Sequence, residues 1–217
     1  ALERLAANAR ELGVPLREVD RDTFASLQLP DAQRAAARCG PFLYRSEAEL
    51  PTADKGRVPC LIVVLDQIED PHNAGAIIRT AEAVGCAGIC LPRRRAVSVT
   101  PAVVRASAGA TEHLPVFRIG NVARTVERLQ QAGYWAVALD HGAEQSWDEA
   151  DYRGCIALVV GSEGRGVRRL VADRCDHRVA LPMFGRVGSL NVSAAFAAAA
   201  YEVVRQQQIA TGVAGPE

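Results

Sequence analysis

From Cys60 onward the sequence predicts an α/β fold, a parallel sheet with helices on both faces, and two observations carry the prediction. The apolar runs are short and continuous, as in CLIVVLD and IALVVG, which is the pattern of strands buried on both faces rather than of a half-exposed sheet. Between most of these runs lie segments with helical spacing, the crossovers that parallel strands require.

The first elements precede this sheet. LERLAANARELG carries Leu2, Leu5, Ala6 and Leu12 at helical spacing, and Gly13 is placed to close that helix. VPLREVD reads as a short strand and DRDTFASL as the start of a second helix. Residues 49–59 collect Pro51, Gly56 and Pro59 among polar side chains and read as a linker, which divides the chain into 1–48, 49–59 and 60–217. Strands are then predicted in CLIVVLD, GICLP, LPVFRI, YWAVALD, IALVVG and HRVALP, with helices over 73–84, 101–110, 122–132 and 167–175. An alanine-rich helix follows the last strand. Sheets of this kind bind ligands outside the carboxyl ends of their strands, so the loops after Leu65, Leu91, Leu139, Val160 and Leu181 are where chemistry is expected.

Composition narrows the function classes. The 217 residues, 49% of them hydrophobic, suffice for one large domain and a small appendage. Lys and Arg (25) balance Asp and Glu (25), so any nucleic-acid contact must come from a local basic patch. Lys55 is the only lysine, and the remaining positive charge is arginine, the better bidentate phosphate ligand. The six cysteines contain no C-x-x-C pair and no metal spacing with the histidines. They are expected as free buried thiols in a reducing, cytoplasmic compartment, with no metal site. No run approaches the ~18 apolar residues of a membrane span. The only methionine is Met183, so Ala1 is not expected to be a translation start.

Three loops stand out. In LDQIEDPHNAGAIIRTAEAVG a helix is expected to begin near Asn73, a good N-cap type, and Arg79 lies six residues on, able to face the same crevice. An arginine among small and apolar residues is either a surface side chain or one with an anionic partner. After IALVVG, glycines 161, 164 and 166 surround Glu163 and Arg165, as a plain turn or as a ligand cradle. Glu163 disfavours a phosphate in that loop and suits an ion pair with an arginine such as Arg79. After HRVALP, the polar trio Ser189, Asn191 and Ser193 runs into the alanine-rich helix, and one of the trio is expected to cap it. Basic residues gather near other strand ends: Arg93, Arg94 and Arg95, Arg105, then Arg165, Arg168 and Arg169.

Taken together, DPHNAGAIIRTAEAVG, LVVGSEGRGV and LPMFGRVGSLNVSAAFAAAAYE resemble, in order and spacing, the SpoU (TrmH-like) family of RNA ribose 2'-O-methyltransferases, over about residues 60–208. The front segment resembles part of the small L30e-like RNA-binding domain that many members carry. The resemblance implies a SPOUT-like sheet whose C-terminal part threads a deep trefoil knot. It implies S-adenosylmethionine held there by Asp140, His141, Gly142, Gly161, Leu181, Met183, Ser189 and Leu190. It credits Arg79 with activating the ribose hydroxyl. Because a guanidinium keeps its protons, positioning an RNA phosphate and stabilising the nascent alkoxide is the role consistent with that credit. Asn73 and Asn191 would orient the arginine or the substrate, and Glu163 would hold the arginine by an ion pair. Arg93, Arg94, Arg95, Arg105 and Arg165 would contact RNA. The family's habit further implies a homodimer packed through the knotted region, with AAFAAAAYE part of the contact.

The substrate so implied is structured RNA, 23S ribosomal RNA ahead of transfer RNA. A non-catalytic RNA-binding or ribosome-assembly protein on the same fold is the alternative, disfavoured because Asn73, Arg79, Glu163, Ser189 and Asn191 are all present. A generic nucleotide-binding domain is disfavoured by the missing Walker and dinucleotide fingerprints.

Overall fold

The computed structural model describes residues 2–29 and 34–212. The chain divides into two compact units, Ala1–Pro41 and Phe42–Glu217. In the first, α1 (Leu2–Glu11) closes as expected, with Gly13 at a φ of 65° and the Val14 N–H donating to the Ala9 carbonyl at 2.8 Å. The second helix, α2 (Arg21–Ser26), starts at Asp20, whose carboxylate accepts from the Thr23 N–H at 2.7 Å. The strand expected in VPLREVD is absent. A strand needs a neighbour for its backbone groups, and the described residues of this unit supply none.

The second unit begins at Phe42, ahead of the expected linker 49–59, because a short strand before that linker joins the sheet. β1 (Arg45–Ser46) pairs in parallel with β4 (Val116–Ile119), and Ser46 and Glu49 close a capping box on the short turn between them. The other strands are β2 (Leu61–Asp66), β3 (Ile89–Pro92), β5 (Trp135–Leu139), β6 (Gln145–Ser146), β7 (Ile156–Gly161) and β8 (His177–Ala180). All pairings are parallel, in the order β1-β4-β3-β2-β7-β5-β8-β6.

Every residue of β2 and β7 is buried, which is why these strands are continuous apolar runs. Side chains alternate between two cores. Leu61, Val63 and Leu65 pack with α3 (Pro71–Ala83), α4 (Pro101–Ala106) and α7 (Val192–Thr211). Ile62 and Val64 pack with α5 (Val122–Gln131) and α6 (Arg169–Ala172). Both faces are therefore covered, as expected. α3 and α4 approach closely at Gly75, where a Cβ would lie 2.3 Å from that of Ala106.

Three local expectations are corrected. The helix expected over 101–110 stops at Ala106, because Ala108 turns left-handed at a φ of 52°. The one expected over 167–175 shrinks to a single turn. α3 is capped by Asp70, which accepts from the His72 N–H at 3.0 Å, and not by Asn73. Pro71 in the first turn is the local reason, since its missing N–H and fixed φ suit that position.

Nor are all six cysteines free: Cys60 and Cys155 form a disulfide, with Cα atoms 4.7 Å apart. The register explains it. The β2–β7 ladder opposes Leu61 to Ile156, so the residues just before them face each other on one side of the sheet. Cys86 and Cys90 are free and buried, as expected, and burial pushes the Cys86 thiol up to about 12.

After β8, on the far side of β5, the chain returns past the strand ends to α7, which packs against α3 and β7. The return is tied at the opposite end of the sheet. Buried Gln207 accepts from the Cys60 N–H at 2.8 Å and donates to the carbonyls of Gly154 (2.7 Å) and Tyr152 (3.0 Å).

Candidate functional site

The ladders bring the carboxyl ends of β2, β7, β5 and β8 side by side: Asp66 is level with Gly161, and Leu139 with Val160 and Val179. An open cleft lies beyond the last three of these strands. Its apolar floor is Leu139, Val160, Val179, Leu181 and Val192; its rim comes from Asp140, His141, Glu163, Met183, Ser189 and Leu190. Of the residues expected to hold a cofactor, Asp140, His141, Gly161, Leu181, Met183, Ser189 and Leu190 all line it. Gly142 does not. Its N–H instead donates to Asp140 Oδ1 at 3.0 Å, shaping the turn from outside the wall.

Asp140 is also gripped by Arg178 of β8, whose Nε and Nη2 lie 3.1 and 2.5 Å from Oδ2. Burial works against the charged carboxylate, yet the Gly142 N–H and the Arg178 guanidinium outweigh it and hold the group below its ordinary value of 3.8. Arg178 was not anticipated from sequence, since an arginine on a short strand has no local signature of its partner.

The loop after β7 folds back on its own strand. A Cβ on Gly161 would stand 2.0 Å from the Gly166 carbonyl carbon, so only glycine allows the crossing. The Gly166 N–H closes the turn on the Ser162 carbonyl at 2.9 Å. At the base of this loop, Arg168 forks onto the fully buried Asp66, with Nε–Oδ1 2.8 Å and Nη2–Oδ1 2.7 Å. Asp66 was also missed, although an acid ending an apolar run as LIVVLD does is a legible signal of a buried partner.

Three expected catalytic residues meet here. The Asn191 Nδ2 donates to Asn73 Oδ1 at 2.8 Å and to Glu163 Oε1 at 2.5 Å. Its Oδ1 accepts from the Ser193 N–H (2.9 Å), the Ser193 hydroxyl (2.6 Å) and the Ala194 N–H (3.4 Å), capping α7 as expected of the trio. Both amide hydrogens and the carbonyl of Asn191 are thus committed, and its orientation follows from the network. Asn73 is buried, freed from capping to face this point.

Arg79 departs from expectation. It is exposed on α3, lies outside the cleft, and has no ion pair or hydrogen bond among the described residues. The expected pair with Glu163 does not form. Six residues at about 100° each put Arg79 roughly 120° around the helix from Asn73, and Asn191 occupies Glu163 instead.

The basic residues split in two. Arg93, Arg94, Arg95, Arg105 and Arg165 are exposed, with no ion pair among the described residues. Arg168 and Arg169 are committed, to Asp66 and Asp173. Arg118, unmarked in the sequence, props the arginine turn after β3 by donating to Ser98 Oγ at 3.1 Å, with its guanidinium 4.9 Å from the centre of the Tyr44 ring.

Strand order, the glycine crossing and the Asn73–Asn191–Glu163 cluster define a parallel α/β protein whose site is built at the carboxyl ends of its central strands. Residues 60–201 match the model of the SpoU rRNA Methylase family, and the chain belongs to that family. It is 41% identical over 201 residues to YacO of Bacillus subtilis strain 168, assigned to the TrmH family of tRNA/rRNA methyltransferases, spanning 92% of this chain and 80% of the relative. It is 39% identical over 209 residues to the 23S rRNA (guanosine-2'-O-)-methyltransferase RlmB of Pseudomonas putida, spanning 96% and 84%. The crystal structure of an AdoMet-bound rRNA methyltransferase from Sinorhizobium meliloti superposes with a TM-score of 0.77 at 26% identity, over 94% of this chain and 77% of that one.

Proposed function

We propose that this chain methylates a ribose 2'-hydroxyl of structured RNA, 23S ribosomal RNA ahead of transfer RNA, using S-adenosylmethionine. The observation that carries the reading is the meeting of Asn73, Asn191 and Glu163 beside a cleft with an apolar floor. The cleft residues fit that cofactor. Leu139, Val160, Leu181 and Val192 offer an apolar bed for an adenine ring. The backbone groups of residues 182–190 make no hydrogen bond within the chain among the described residues and are available to a ligand's polar edge.

When bound, S-adenosylmethionine supplies an electrophilic methyl group on a sulfonium. The chain's own part is to position and to stabilise. Arg79, exposed and unpaired among the described residues, is free to take an RNA phosphate and to steady the charge that develops on the hydroxyl oxygen. The Asn191 hub holds Glu163 and Asn73 fixed relative to one another. Orientation of this kind can lower a barrier by several kcal/mol, which makes so sparse a set of groups sufficient. Arg93, Arg94, Arg95, Arg105 and Arg165 supply the local positive charge that the balanced composition requires.

The homodimer belongs to this proposal. Phe184 and Val187, 96% and 71% exposed, give the segment before α7 an apolar surface that suits a second copy. The alanine face of α7 is less available than expected, since Phe196, Ala199 and Ala200 are buried within the chain. The proposal likewise includes the trefoil knot, the L30e-like kinship of the first unit and a cytoplasmic location. No described helix is long and apolar enough to cross a membrane.

The test is transfer of labelled methyl from S-adenosylmethionine to total RNA, with the modified nucleotide mapped. Label on a 2'-O-methylated ribose is expected, and Arg79→Ala should abolish it while cofactor affinity stays within a few fold. Cofactor binding without label in any RNA would favour the assembly-factor alternative. Normal turnover by Arg79→Ala would remove the role given to Arg79.

A further inference from the structure

Asp66 takes no part in the chemistry above, yet it is a completely buried carboxylate at the end of the central strand. Both its oxygens are used by one residue: Oδ1 by the Arg168 Nε and Nη2, and Oδ2 by the Arg168 backbone N–H at 2.9 Å. The position of this pair gives it a consequence. Gly161, where the loop leaves β7, is level with Asp66 in the ladder, and Arg168, where the loop ends, is forked onto the same Asp66. Both feet of the 162–167 loop therefore stand on one strand end. Between them the backbone crosses itself at Gly161 and Gly166, and Ser162, Glu163, Gly164 and Gly166 form one wall of the cleft.

We propose that the Asp66–Arg168 ion pair is a positioning device for the cofactor site, holding the 162–167 loop folded over Gly161 and so setting the cleft wall and the place of Glu163. The proposal rests on the cofactor reading above. A planar guanidinium converging on Oδ1 while the same residue's backbone N–H holds Oδ2 fixes direction as well as distance, and a lysine ammonium does not reproduce the side-chain half of that grip. Neither residue lines the cleft, so both act through the loop.

The experiment is calorimetric titration of the full chain with S-adenosylmethionine, for Asp66→Asn and Arg168→Lys beside Gln207→Ala. Gln207 works at the amino ends of the same strands, some ~20 Å away by the length of a six-residue strand, and serves as a control for lost stability alone. Both loop variants should raise Kd at least about 10-fold through misplacement of the wall. Gln207→Ala should lower Tm yet leave Kd within about twofold, as expected of distant sites. Unchanged Kd in the loop variants, or equal weakening in Gln207→Ala, would reduce the pair to a structural staple and overturn the proposal. Absence of binding by the wild-type chain would instead overturn the cofactor reading, and the proposal with it. Should Asp66→Asn fail to fold, amide hydrogen exchange in Arg168→Lys decides. Exchange should accelerate in 162–167 and not in α5, and unaltered loop exchange refutes the clamp.

Discussion

Replacing Gly161 with alanine places a methyl group where the returning loop already lies. The added Cβ would stand 2.0 Å from the Gly166 carbonyl carbon and 2.1 Å from both the Gly166 oxygen and the Val167 nitrogen. Ordinary contact begins at 3.4 Å, so the crossing backbone must retreat by 3.4 − 2.0 = 1.4 Å. No rotamer change can relieve this, because the three atoms are backbone. They are anchored by the Gly166–Ser162 hydrogen bond on one side and the Arg168–Asp66 fork on the other. Overpacking of this kind costs about 1–3 kcal/mol of stability. A displacement of that size in a site costs catalytic efficiency on the order of 100-fold. The control is Gly164→Ala, where nothing lies within 4 Å of the added Cβ and the penalty is the left-handed φ of 76° alone, about 1 kcal/mol. Urea denaturation and cofactor titration of both variants separate the two mechanisms. A Gly161→Ala protein with wild-type midpoint and affinity, or a Gly164→Ala protein equally impaired, would refute the claim that backbone crossing builds the cleft.

Asn191→Asp should keep the cap of α7, since a carboxylate oxygen still accepts from Ser193 and Ala194, but it turns a second oxygen toward Asn73 Oδ1 and Glu163 Oε1. Activity should fall as far as in Asn191→Ala, while only the alanine variant loses the cap's contribution of about 1 kcal/mol in thermal melts. Gly75→Ala would bring a Cβ within 2.3 Å of the Ala106 Cβ, so urea midpoints should drop by the equivalent of about 1–3 kcal/mol with cofactor affinity unchanged. The folded-state value of Asp140 is depressed, so its stabilisation is complete above 3.8 and disappears as pH falls through the lower folded value. The difference in urea midpoint between wild type and Asp140→Asn should accordingly be constant near neutrality and shrink to nothing in strong acid.

What the sequence reveals depends on whether a feature is local. β2 and β7 were legible because burial on both faces leaves continuous apolar runs, and their loops were legible from the parallel sheet they imply. β1 and β6, with two residues each, carry no periodicity and exist only because a neighbour presents an edge. Asn73 was misread as a cap although DPHN offers Asp70 before a proline at the first helical position, so the better cap stood three residues earlier. The Glu163–Arg79 pair failed for a different reason. Six residues along α3 turn Arg79 roughly 120° away from Asn73, and the competing donor, Asn191, lies 28 residues from Glu163. Asp66 and Arg168 are separated by 102 residues, a distance no pattern in either segment spans.

One amide ties these levels together. Asn191 caps α7 with its oxygen and bridges Asn73 and Glu163 with its nitrogen, so the start of α7, the start of α3 and the loop after β7 share a single side chain. α7 is fixed again by Gln207 at the amino ends of β2 and β7, and it packs on α3 and β7 between the two ties. A helix held at both ends of the sheet cannot shift along its axis without breaking one set of bonds. The relation of Glu163 to Asn73 is therefore set by the fold as a whole rather than by either loop. That is the physical reason a site with few polar groups can be well ordered although its rim is exposed. The same reasoning sorts the variants: changes at the Gln207 end alter how firmly α7 is held, whereas changes at the Asn191 end alter what it holds in place.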